Sequence, residues 1–209
     1  MRNIQKDAEP RSLTEHRLQV HASYNNYDDK NTLRQQLVEE QRGLCCYCQS
    51  RIRPTAQEMK IEHWQCRDNY SHRQLDYSNL LGACLGGHGR PEREQHCDTR
   101  KGNANLSICP ANPAHDVERL IQFLGDGRVK SENVIIDTEL NQVLNLNWWR
   151  LQNNRKAVLT AFQEALKRGR RLDADRELRK WDGSQVGVLP EYAPVVVYYL
   201  RKKLARVAI

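Results

Sequence analysis

The sequence predicts an α+β protein: a small cysteine-held core with short strands, entered by a helix and followed by a mainly helical C-terminal region. Three observations carry this. Cys45 and Cys48 form a C-x2-C turn, and Cys84 and Cys97 supply two later thiols, a set able to close on one tetrahedral ion. Between them KIEHW at 60–64 reads as a strand. Beyond them the longest helical pattern runs from Leu146 to Arg168, with Leu151, Val158, Leu159, Phe162 and Leu166 on a broad apolar face.

In order, residues 1–30 form a polar arm containing Pro10 and the loop-like run SYNNYDD. Ser12 and Glu15 have capping-box spacing, so 12–19 is expected to hold one or two helical turns. In TLRQQLVEEQ at 32–41, Leu33 and Leu37 share a helical face that ends at Gly43. Residues 49–57 form a linker around Pro54, and the strand KIEHW follows. Residues 65–78 are polar and are expected to cross an exposed side of the core. Leu80 and Leu81 return the chain to the core in a helix or turn leading to Cys84. LGGHGRPEREQH at 85–96 holds three glycines and a proline and is expected to be irregular, with Arg90, Arg93 and His96 in reach of a substrate.

Pro110 and Pro113 close a core spanning 31–110 and leave 111–209 as the helical region. There Val117, Leu120, Ile121 and Leu124 predict a short helix over 115–124, and GDGRV at 125–129 a tight turn into a strand. Gly169 stops the long helix, Asp173 to Trp181 forms another, and Tyr192 to Val207 fits a helix or a strand equally well. Trp148 and Trp149 are adjacent and cannot face the same way, so one packs inside and the other meets a partner.

Composition narrows the class. The 209 residues are 39% hydrophobic and 28% charged, enough for one ordinary domain or two small ones. The opening MRNIQKDAEPRS is too polar for a signal peptide or membrane anchor, and APVVVYYL is too short to span a bilayer. A cytoplasmic protein with no membrane contact is expected, in which clustered cysteines bind metal in preference to forming disulfides. The net charge is +7, and its placement is uneven: residues 140–209 hold 14 Lys and Arg against 6 Asp and Glu, and residues 1–139 hold 19 against 20. The C-terminal half therefore has charge for phosphate contacts, though a solvated helical surface accounts for it equally well.

Within the core, CCYCQSRI at 45–52, IEHW at 61–64, LDYSNLLGAC at 75–84 and HCDTRKGN at 96–103 resemble the HNH endonucleases of the ββα-metal class, in their zinc-stapled form. With LNLNWWRLQNNR at 144–155, residues 1 to roughly 160 are similar to the PtuB family, the HNH nuclease subunits of Septu-type and retron-associated anti-phage systems. The resemblance implies a role for each matching position. His63 would be the general base, Asn79 the residue that steadies the hairpin and orients that base, and Glu62 and Asp98 the ligands of a catalytic divalent ion. Cys45, Cys48, Cys84 and Cys97 would hold structural Zn2+. If 97–101 is the short helix of a ββα unit, Lys101 would contact a phosphate oxygen.

Two positions depart from the family pattern. Cys66 replaces a frequent turn proline, and Asp98 stands where His or Asn is common. Two carboxylates are hard ligands, so the expected catalytic ion is Mg2+ or Mn2+. The resemblance further implies a PtuA-like ATPase partner of the ABC/SMC-like class and, in retron versions, a reverse transcriptase with its multicopy single-stranded DNA (msDNA). The chain itself has no Walker A motif. DNA is the favoured substrate; RNA, including tRNA, is the alternative. Other readings stay open at this level. His88 or His96 can replace a thiol, Cys46 can substitute for Cys45, the C-x2-C pair can be redox-active, and the whole can be a non-catalytic zinc-stapled binding or scaffold module.

Overall fold

The computed structural model describes residues 1–168, 174–184 and 187–207. It shows a mixed fold in which a small β-hairpin lies beside the four cysteines in a mostly helical chain. The helix α1, Arg11–Arg17, starts at Pro10 with no side-chain cap. The expected capping box does not form, because the Ser12 hydroxyl bonds Tyr27 (2.9 Å) and Glu15 accepts from Arg11 (2.6 Å). The arm before it packs inward, with Met1 and Ile4 buried and the Ile4 N–H on the Pro110 carbonyl at 2.8 Å. Helix α2, Lys30–Glu40, is capped by Asp29 through the Thr32 N–H, and buries Leu33 and Leu37 as their spacing requires.

The hairpin consists of β1, Met59–His63, antiparallel to β2, Leu80–Cys84, with Glu62 opposite Leu81 and His63 opposite Leu80. A strand at 80–84 corrects the expected helix or turn. All five residues are buried, so an unbroken apolar run is what a strand covered on both faces requires. Its outer edge is satisfied without a third strand: the Gln41 amide accepts from the Gly82 N–H (2.6 Å) and donates to the Gly82 carbonyl (2.7 Å). A Cβ at Gly82 would come within 2.9 Å of the Ile52 Cδ1 and 3.1 Å of the Met59 Cε, so these side-chain ends pack directly against its backbone.

After an irregular 85–96 comes α3, Cys97–Lys101. Gly86, at φ +57°, lies where a Cβ would come within 2.1 Å of the His96 carbonyl; this glycine folds the loop back onto α3. Helix α4, Val117–Leu120, is shorter than the expected 115–124. The chain turns extended at Ile121, and β3, Gln122–Phe123, pairs with β4, Val129–Lys130, across the GDGR turn. Helix α5, Val134–Thr138, and the π-helical turn Glu139–Val143 were not anticipated; the Asn133 side chain caps them through the Ile135 and Ile136 N–H groups.

Helix α6, Trp149–Arg168, starts three residues after the predicted Leu146, because Asn147 instead bonds both backbone groups of Val129 (2.8 and 2.9 Å). Its buried face includes an unexpected Arg155, which donates to the Gly127 and Leu146 carbonyls at 2.6 and 2.7 Å. Helix α7, Ala174–Trp181, is followed by α8, Ala193–Val207, which resolves the last ambiguity as a helix. The expected stop at Gly169 and start at Asp173 lie outside the described residues. One buried cluster runs from Met1 and Ile4 through the cysteines and β2 to Leu151, Leu159 and Val195. Among the described residues no helix is long and apolar enough to cross a membrane.

Candidate active site and thiolate cluster

The C-x2-C turn, the end of β2 and the start of α3 meet at one point. There the Sγ atoms of Cys45, Cys48, Cys84 and Cys97 all lie within 4.8 Å of one another, and all four residues are buried. Cys45 to Cys97 is 3.9 Å and Cys48 to Cys84 is 3.7 Å. Four sulfurs at about 2.3 Å from a tetrahedral ion stand about 3.8 Å apart, so the cage has the dimensions that zinc requires. Burial alone would push the Cys45 thiol up, but hydrogen bonds from the other thiols outweigh it and hold it well below the usual range. The Cys84 and Cys97 thiols are pushed well above that range, so it is the convergence of the four sulfurs that makes the set able to bind a metal. His96 is next to it, with Nδ1 3.2 Å from the Cys97 sulfur. Among the described residues, the four cysteines are the only convergence of three or more possible metal ligands, and the same His96 nitrogen lies 4.0 Å from the Cys84 sulfur.

This anchor holds α3 against the hairpin and brings Asp98 up to Glu62. Glu62 is 2% exposed, accepts from the Tyr47 hydroxyl at 2.7 Å and pairs with Lys101 at 2.8 Å. Burial, with the hydrogen bond and charge of Asp98, pushes the Glu62 carboxyl well above the carboxylate range against the pull of Lys101. For Asp98, burial acts upward too, but the Glu62 hydrogen bond and Lys60, 3.3 Å away, hold it down. The two carboxyls thus lie against each other, Glu62 pushed up and Asp98 held down, with Lys101 and Lys60 as their cationic neighbours. Two hard oxygen donors side by side suit a magnesium-type ion, with water or phosphate oxygens filling the other positions.

His63, the next residue on β1, is 7% exposed, and its Nε2 lies 3.0 Å from the Gln74 carbonyl. That contact requires Nε2 to carry the proton and leaves Nδ1 as the basic nitrogen. Burial lowers the imidazole to about 4, overriding the Gln74 carbonyl, which favours the charged form. His63 is therefore neutral at pH 7. Asn79, fully buried, bridges the loop between the strands: Oδ1 accepts from the Gln65 N–H (2.8 Å), and Nδ2 donates to the Gln65 and Arg73 carbonyls (3.0 and 3.2 Å). It fixes the segment that presents the Gln74 carbonyl to His63.

Lys101, expected to contact a phosphate oxygen, has a side chain only 1% exposed, with its ammonium held by Glu62 and by the His63 carbonyl (3.1 Å). An open cleft of ≈ 500 Å³ is lined by His63, Glu62 and Asp98 together with Tyr24, Arg34, Lys60 and Arg67. Tyr24 meets the His63 ring edge-on at 4.5 Å, Arg67 lies over Tyr24 at 4.9 Å, and the Arg34 Nε is buried with no hydrogen-bond partner. Sequence reasoning missed these cleft residues and Tyr47. Tyr47 sits between the paired cysteines, a visible position, whereas Gln74 acts through its backbone and leaves no trace in residue type. Of the loop residues expected to reach a substrate, Arg90 pairs with Glu94 and His96 is buried, while Arg93 is exposed.

Comparison with known proteins gives one distant similarity. The chain is 26% identical, over 186 residues, to an Escherichia coli protein described as "Retron Ec83 putative HNH endonuclease", covering 71% of this chain and 69% of the relative. No family model matches the sequence.

Proposed function

We propose that this chain is a metal-dependent HNH endonuclease that hydrolyses phosphodiester bonds. Residues 31–110 would form the nuclease core behind the arm 1–30, and 111–209 the region for partner and nucleic-acid contact. The observation that supports the reading best is the neutral His63, with its Nε2 held by a backbone carbonyl, one residue from the Glu62–Asp98 pair in the same cleft.

In this reading Nδ1 of His63 takes the proton of the attacking water, with its tautomer set by Gln74 and its loop by Asn79. Glu62 and Asp98 would hold Mg2+ or Mn2+, an ion that would supply positive charge to offset that developing on the phosphate. Arg34, Arg67 and Lys60 supply cations to the phosphate from the cleft wall. Lys101 keeps Glu62 in place and does not contact the substrate, and the four thiolates hold Zn2+ as the staple that sets α3 against β1.

DNA is the substrate assigned, with RNA as the alternative outcome. Biologically, the chain is assigned as the effector of an anti-phage complex with a PtuA-like ATPase. The retron in the name of its relative supports a setting with a reverse transcriptase and its msDNA. The test is to incubate the chain, with and without an ATPase encoded beside it, with plasmid DNA and with total RNA, in magnesium, manganese or chelator. Metal-dependent cleavage that His63→Ala abolishes is the expected result, and the substrate cut decides between DNA and RNA. No cleavage of either with partner and ATP present would overturn the enzyme reading in favour of a zinc-stapled scaffold.

A further inference from the structure

We propose that Trp149, backed by Trp148 and Arg150 at the start of α6, is a stacking platform for an unpaired base of a nucleic acid, outside the cleft around His63. This deepens the nuclease reading by naming single-stranded nucleic acid as the class bound, and rests on it only for the cleavage, since binding is measurable without it.

Trp149 is 58% exposed and is the one aromatic ring among the exposed large hydrophobic side chains described. Its surroundings hold it in place. The Trp148 ring meets it at 6.1 Å and 60°, and the Arg150 guanidinium lies 5.1 Å from the Trp149 ring and 5.5 Å from that of Trp148. Trp148 in turn stacks on the buried His96 at 5.3 Å and 25°, and His96 immediately precedes α3, which carries Asp98. Two backbone-directed ties fix the turn before α6 to the same loop: Asn145 donates to the Gln95 carbonyl at 2.8 Å, and the Cys97 N–H donates to the Leu144 carbonyl at 2.9 Å. The exposed ring is thus rigidly referenced to the helix that bears Asp98.

The charge around it identifies the occupant. Asn153 and Lys156 follow Trp149 by four and seven residues, and so share its helical face, and both are exposed. Arg150, Lys156 and the loop residue Arg93 are exposed and make no ion pair among the described residues. The acids of that loop, Glu92 and Glu94, are already engaged by Arg100 and Arg90. One flat ring with the Arg150 guanidinium beside it, and Asn153 and Lys156 along its helix face, suits a base and its flanking phosphates. A protein hot spot would also use Trp and Arg, but within a desolvated apolar ring of contacts that this face does not offer. A base paired and stacked in a duplex has both faces covered, so the platform selects unpaired nucleotides.

The test measures equilibrium binding by the full chain carrying His63→Ala, which removes cleavage. The probes are fluorescent oligo(dT) and oligo(rU) of about twelve nucleotides and a DNA hairpin duplex of similar length. Trp149→Ala is expected to weaken binding of both single strands about tenfold, with Trp149→Phe retaining most of the affinity and the hairpin changing less than twofold. Unchanged melting temperature and metal content would show that the fold is intact. The proposal is overturned if the parent does not bind the oligonucleotides, if Trp149→Ala binds them as the parent does, or if single strands and duplex weaken alike. It is also overturned if the variant binds normally and loses an ATPase partner instead, which would make the ring a protein interface. A failure of the nuclease reading would appear separately, as absence of cleavage by the chain with His63 intact.

Discussion

The Nε2 of His63 is 3.0 Å from the carbonyl oxygen of Gln74, eleven residues later in the loop that joins the two strands of the hairpin. This contact decides which nitrogen is basic and fixes the ring plane, and it depends on a loop that Asn79 holds at three points.

His63→Ala is expected to reduce cleavage by about 10²–10⁴-fold, the usual worth of a positioned general base, with little change in melting temperature. Single-turnover rates at saturating substrate and magnesium measure it; a loss below tenfold would remove His63 from the role.

Burial keeps His63 neutral down to about pH 4, where an ordinary imidazole would take up a proton near 6.5. At saturating magnesium, where proton competition for Glu62 is suppressed, the cleavage rate should therefore stay level as the pH falls from 7.5 to 6. A tenfold fall across pH 6.5 would contradict the burial.

Asn79→Ala removes one acceptor and two donor contacts at a fully buried position. Leaving the loop's backbone groups unpaired costs about 1–3 kcal/mol each if they stay buried. Urea unfolding should show a loss of at least about 2 kcal/mol, and the folded fraction should cleave more slowly because the Gln74 carbonyl is no longer held.

Lys101 and Glu62 form an ion pair with 1% and 2% side-chain exposure. Lys101→Met should destabilise by about 3–5 kcal/mol, since it strands a buried carboxylate, less whatever Glu62 recovers by taking up a proton. Glu62→Gln combined with Lys101→Met should recover most of that loss. Additive losses in the double variant would mean that the two do not act as a pair.

Metal analysis should find one zinc per chain, lost in Cys84→Ser and retained in Cys66→Ala. A strong chelator should lower the melting temperature, because four buried thiols without an ion lose the interaction that pins β2, α3 and the C-x2-C turn together. Zinc retained in Cys84→Ser would point to another ligand set.

Much of the architecture could be read in the sequence because it depends on local spacing. The helix at 30–40 follows from Leu33, Leu37 and a nearby cap, the strand at 59–63 from KIEH, and the meeting of the four thiols from where their cysteines stand. Short segments were harder. Residues 80–84 and 121–123 have no period long enough to separate strand from helix, and their backbone partners, at 59–63 and 129–130, settle the matter. The helical run at 134–143 went unrecognised although Asn133 marks its start, because its exposed Val134 and Ile135 obscure the amphipathic pattern.

The sequence by itself determined which residue types stand near one another along the chain, and so the cysteine set and the Glu62–His63 pair. Only the tertiary structure decided where side chains point: Lys101 inward to Glu62, Trp148 onto His96 and Trp149 into solvent, and Arg155 into the core onto two carbonyls. The physical reason is that the direction of a long or amphipathic side chain depends on which groups lie across the fold to satisfy it. Those groups, Gln74 for His63 and Gly127 for Arg155, are often backbone carbonyls that residue identity does not reveal.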